Sequence, residues 1–220
     1  MKKFQIPILV TVACVVMGLI DSVIQPGYVL KSLIKIILFL LIPTAYGIFN
    51  TEINIKKLLT PSRKGLATSL TLGLMVYVVI MGTYLVFRHV FDFSALAGVL
   101  DKTMGVNKSN FLWVAIYIFF VNSFLEEFFF RGFSFIVLKK LASKRFAYVF
   151  SSLMFSLYHV AMMIGWFGVP VVLISILGLF VGGLVFNRFD EKSENIYLSW
   201  LIHMFANFAT NTIGFILLAN

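Results

Sequence analysis

The sequence predicts an all-α fold, a polytopic transmembrane helix bundle, and three observations carry that prediction. Of 220 residues, 60% are hydrophobic and 12% charged, whereas soluble domains run about 45–50% apolar and about 25% charged. The mean hydropathy is +0.99. The apolar residues gather into stretches of roughly 20, the length a helix needs to cross a hydrocarbon core of about 30 Å. With no water there to satisfy the backbone, such stretches fold as helices.

In order along the chain, Met1-Lys2-Lys3 followed by apolar Phe4 to Ile20 imitates a signal peptide. Asp21 to Gly27 offers no small-residue cleavage site, so the stretch reads as a first transmembrane helix. Further spans are expected at 32–49, 66–87, 111–138, 146–165, 169–187 and 196–218, about seven in all. Phe91 to Met104 is too polar to span but carries apolar residues at helical spacing; it suits a helix lying in the interface, with an ordinary external loop as the alternative. Residues 1–220 read as a single integral membrane domain with no repeat.

The net charge of +9 sits in short clusters between spans. There it serves topology and anionic headgroups, and nucleic acid is excluded as a partner. Twelve Lys and Arg fall on one side, in the clusters at Lys2, Lys56, Lys139 and Arg188, against five on the other: Lys31, Lys35, Arg88, Lys102 and Lys108. The N-terminus is therefore expected in the cytoplasm and the C-terminus outside. A single cysteine, Cys14, can build neither a disulfide framework nor a cysteine metal site within one chain.

Ionisable groups at membrane depth cost about 2.5–3.5 kcal/mol on insertion scales and mark function by default. Here the polar and ionisable residues fall on three spans: Asn122, Ser123, Glu126, Glu127 and Arg131 on the fourth; Ser156, Tyr158 and His159 on the fifth; His203, Asn207 and Asn211 on the seventh. Glu127 precedes Arg131 by four residues, the favoured arrangement for an ion pair on one helix face. Glu126 lies five residues before Arg131, about 140° away around a helix of 3.6 residues per turn, and is left without a local counter-charge. A carboxylate so placed suits a general base or acid. The plainer alternative is that both glutamates pair with cations of other helices. His203 and Asn207, four apart, share a face and can both donate to a developing oxyanion. His159 alone reads equally as a packing residue. His89, beside Arg88 at a helix end, is set aside as interfacial, and the 25 Phe are assigned to packing and lipid-facing surface.

The ordered trio Glu126-Glu127-x-x-x-Arg131, Phe155-x-x-x-His159 and His203-x-x-x-Asn207 resembles the family of CAAX prenyl proteases and bacteriocin-processing (Abi) enzymes, over a catalytic core of about residues 111–215. The resemblance implies an intramembrane endopeptidase acting on a membrane-associated peptide or lipidated protein. In it the residue matching Glu126 activates water with help from that matching His159, and those matching His203 and Asn207 hold the oxyanion. Glu127 and Arg131 are supporting. Glu126, His159 and His203 also form a plausible zinc set of two histidines and one carboxylate. The metal-independent version is preferred, because Asn207 one turn after His203 suits an oxyanion clamp and no carboxylate other than Glu127 remains on these spans to orient a ligating histidine.

Other classes lack their residues. There is no His-Glu-x-x-His, no Gly-x-Gly-Asp and no Gly-x-Ser-Gly, and the last span has no lysine for a retinal Schiff base. A proton-coupled transporter would show paired, Gly/Pro-broken spans, which are missing. A bacteriocin self-immunity or membrane scaffold protein that keeps the motifs is the remaining alternative. Compact loops and lysine in excess over arginine look bacterial, which puts the protein in a bacterial cell membrane.

Overall fold

The computed structural model describes residues 2–50, 54–60, 65–89, 105–163 and 168–219. Seven helices in it are long and apolar enough to cross a membrane: α1 (Lys3–Ile24), α2 (Tyr28–Phe49), α4 (Leu66–Phe87), α5 (Phe111–Leu141), α6 (Lys144–Met163), α7 (Val169–Ser193) and α8 (Tyr197–Ala219). A short helix, α3 (Ile55–Leu58), precedes α4. The protein is thus an all-α, multi-pass membrane protein, with span limits within a few residues of those read from hydropathy. Phe91 to Met104 lies outside the described residues.

The helices divide into two compact units, Met1–Ser62 with Leu125–Ser199, and Arg63–Phe124 with Trp200–Asn220. In the first unit the second half of α5 is the centre: every residue from Leu125 to Leu138 is buried. A helix buried all round must be apolar all round, and the run Phe128-Phe129-Phe130, Phe133, Phe135, Ile136 meets that need. Phe39 of α2 stacks on Phe129 with centroids 4.1 Å apart. It lies in a π-helical turn, Ile37–Leu41, one turn before Pro43. A proline ring inside a helix crowds the carbonyl four residues earlier, here that of Phe39, and the wider turn makes room for it.

Small and hydroxylated residues let α6 approach its neighbours. A Cβ added at Gly183 of α7 would stand 3.0 Å from the Ser152 backbone, and Asn187 donates from Nδ2 to Ser152 Oγ at 3.1 Å. Ser151 donates its hydroxyl to the Phe130 carbonyl of α5 at 2.7 Å. Close backbones and interhelical hydrogen bonds hold helices together where lipid removes the hydrophobic drive.

In the second unit, α8 packs on the first half of α5 through amides. Asn207 donates to the Ile118 carbonyl at 2.9 Å and Asn211 to the Ala115 carbonyl at 3.0 Å. Gly73 of α4 leaves space for the Phe205 ring, whose Cδ2 would lie 2.4 Å from an added Cβ.

Candidate active site

Four of the residues singled out by sequence meet in the first unit. Glu126 closes an α-helical turn, Ser123–Glu126, and the eleven residues Glu127–Val137 that follow are π-helical. This corrects the expectation of a regular 3.6-residue turn: hydrogen bonds here run to the fifth residue, and angles computed for an α-helix do not apply. π-turns of this kind gather at functional sites.

The two glutamates nevertheless take different partners. Glu127 pairs with Arg131, Oε2 to Nε 3.3 Å, with both side chains fully buried. The guanidinium carbon lies 3.8 Å from the centroid of the Phe155 ring and 5.0 Å from that of Phe186 of α7. Weakly hydrated and planar, an Arg tolerates such an aromatic seat better than a Lys would.

Glu126 is 2% exposed. The expectation that it lacks a nearby counter-charge holds only for its own helix: Lys35 Nζ of α2 donates to its Oε1 at 2.6 Å. Counted with the external cations at the outer end of the expected 32–49 span, Lys35 in fact lies two turns inside α2, which begins at Tyr28, and is 3% exposed. The plainer alternative weighed for the glutamates, a cation from another helix, therefore describes Glu126.

The second oxygen, Oε2, stands 3.6 Å from His159 Nε2. On the far side of that ring, Nδ1 lies 2.7 Å from the carbonyl of Phe155, one turn back on α6. A carbonyl only accepts, so Nδ1 carries a hydrogen, and Nε2 is the ring nitrogen turned toward Glu126. Phe155-x-x-x-His159 is thereby a single device. Its phenylalanine supplies the backbone oxygen that holds Nδ1, the ring under Arg131, and an edge-on contact to the imidazole at 4.7 Å between centroids.

His203 and Asn207 belong to the second unit, on one face of α8. His203 is buried. Asn207 has one of its two amide hydrogens committed to Ile118. Among the described residues no group of three or more His, Cys, Asp and Glu is arranged to hold a metal ion.

Sequence reasoning missed three buried charges, Asp21, Lys35 and Asp190. Lys35 was legible in principle: Lys31 and Lys35, four apart, share a face of any helix that starts at Tyr28, and Lys31 pairs with buried Asp21 at 2.5 Å. Asp190 was not singled out, since it sits in the ordinary-looking run Asn187-Arg188-Phe189-Asp190. It is fully buried and accepts from the Ser199 hydroxyl at 2.5 Å and the Ser199 backbone N–H at 3.3 Å, anchoring the first turn of α8.

No curated protein and no solved structure matches the chain. Residues 108–209 match the family described as Rce1-like, type II CAAX prenyl endopeptidase Rce1-like. That stretch runs from the loop before α5 into α8 and contains all three motifs. Over that stretch the chain is similar to the Rce1-like type II CAAX prenyl endopeptidases.

Proposed function

We propose that the protein hydrolyses a peptide bond of a membrane-associated or lipidated peptide, using water activated between Glu126 and His159. The observation that carries this reading is the approach of Glu126 Oε2 to His159 Nε2 at 3.6 Å, with Nδ1 of that ring held by the Phe155 carbonyl. The separation exceeds a direct hydrogen bond, so the two atoms are open to a water beside them. Such a water gives a proton to the Glu126–His159 pair as its oxygen attacks the carbonyl carbon. The carbonyl π electrons move to oxygen; when the tetrahedral centre collapses, the C–N bond breaks and the leaving amine takes the proton back. The oxyanion role of His203 and Asn207 is carried by the resemblance of the His203-x-x-x-Asn207 motif alone.

The reading is metal-independent. A divalent cation on Glu126, His159 and His203 would sit against a carboxylate already holding the Lys35 ammonium at 2.6 Å, and two positive charges at one buried carboxylate repel strongly. The same reading puts the N-terminus in the cytoplasm, on the lysine and arginine bias of the loops, and takes the membrane as a bacterial one, on the compact loops and the excess of lysine over arginine.

The test uses protein purified in detergent and a fluorogenic peptide ending in farnesyl-cysteine and three further residues. Peptidomics of membranes carrying the wild type or Glu126→Ala serves as the substrate-blind companion. Cleavage lost in Glu126→Gln, lowered about 10²–10³-fold in kcat in Asn207→Ala, and kept after exhaustive zinc chelation is expected. Cleavage that survives Glu126→Gln defeats the assignment. Unchanged membranes in both assays favour an immunity or scaffold protein, and activity restored only by stoichiometric zinc moves the histidines to metal ligands.

A further inference from the structure

The mechanism above uses one oxygen of Glu126 and leaves a buried lysine unexplained. Lys35 reaches the site from α2, a helix outside the matched segment of residues 108–209. Its ammonium meets Oε1 of Glu126 at 2.6 Å and lies 5.4 Å from the Phe39 ring centroid and 5.0 Å from that of Tyr158. Tyr158 is the residue before His159 on α6, so the aromatic seat of the lysine and the imidazole are set by the same helical turn. Phe39 is held in turn by its stack on Phe129 of α5, three residues after Glu126. The same rigid elements that carry Glu126 and His159 thus also fix the ammonium.

A carboxylate on a flexible side chain has two equivalent oxygens and a freely turning final torsion. Binding one oxygen fixes the other. With Oε1 on Lys35, the carboxylate plane is set so that Oε2 faces His159 Nε2 across 3.6 Å. We propose that Lys35 is a positioning residue of the active site, holding Glu126 by Oε1 so that Oε2 and His159 Nε2 present a fixed pair of atoms to the attacking water. The proposal rests on the assignment of Glu126 and His159 to water activation. A lysine used only to neutralise a buried acid has no need of an aromatic cage that restricts its position.

The experiment compares wild type, Lys35→Met and Lys35→Gln in detergent, with the farnesylated fluorogenic peptide as substrate and kcat expressed per folded molecule from size-exclusion profiles. Displacing a catalytic group by about 1 Å costs about 10²-fold. The expected result is therefore a kcat about 10²-fold lower in Lys35→Met, a smaller loss in Lys35→Gln, which keeps an N–H donor for Oε1, and KM within about twofold of wild type in both. Wild-type kcat in Lys35→Met overturns the proposal, as does an effect confined to KM. Absence of both variants from the membrane also overturns it, in favour of a role in folding alone. A wild type that leaves the peptide intact, or cleaves it equally as Glu126→Gln, instead defeats the functional assignment of the site.

Discussion

Glu126 and Glu127 are neighbours with the same side chain, and their surroundings separate them. Glu127 faces a guanidinium with which it is wholly buried, and removing its charge strands that of Arg131. Breaking a buried pair on one side costs about 3–5 kcal/mol, while replacing both partners by neutral groups is often nearly neutral. Glu127→Gln is accordingly expected to lower the amount of folded protein in the membrane, and Glu127→Gln with Arg131→Met to recover much of it. Normal thermal unfolding of the single variant would show that the pair contributes little. Glu126 carries a different load, since its substitution by Gln keeps an oxygen for Lys35 and alters mainly the group that takes the proton from water.

At the scale of elements, the device that joins the helix ends is the tie between α3 and the turn from α7 to α8. Ile196 N–H donates to the Leu58 carbonyl at 3.3 Å, Tyr197 OH to the Leu59 carbonyl at 3.0 Å, and Lys57 to Glu194. Gly132 of α5 lies beneath, where a Cβ would meet Leu58 and Ile196 at 3.3 and 3.4 Å. The hydrogen bond from the Lys57 ammonium, with its charge, holds the Glu194 carboxyl below its ordinary range. A carboxyl whose folded value is depressed contributes stability above its unfolded value and loses it as pH falls through the folded one. Both side chains are well exposed, 52% and 37%, so solvent screening limits the pair to about 1 kcal/mol at most. Lys57→Met is expected to lower thermal stability slightly at pH 7 and low salt. The difference from wild type should vanish in high salt and once the pH has fallen through the depressed Glu194 value, where the carboxyl takes up its proton. A difference that persists at both extremes would assign the effect of Lys57 to its methylenes packing on the turn.

For the whole molecule, the proposed orientation counts each of the seven candidate helices among the described residues as one crossing and so puts the two ends of the chain on opposite sides. Lys35 belongs inside the membrane and drops out of the weaker side of the loop count, so the bias toward a cytoplasmic N-terminus grows. In a Cys14→Ala background, a membrane-impermeant maleimide should label Asn220→Cys in intact cells and Lys2→Cys only after permeabilisation. The reverse pattern would overturn the orientation.

The sequence by itself determined the fold class, the number of spans and the helices that bear the motifs, because a hydrocarbon core imposes one length and one backbone solution on every apolar stretch. It also paired Glu127 with Arg131, since that contact is one turn long and depends on a single helix. The partners of Glu126 were beyond it: Lys35 comes from 91 residues away, and no local periodicity links α2 to α5. The direction of His159 Nε2 likewise depends on the approach of α6 to α5, and the anchoring of α8 by Asp190 on the return of the chain after α7. Only packing decides which side chains of separate helices meet, because interhelical contacts follow from volumes and close backbone approaches that no spacing along one segment encodes.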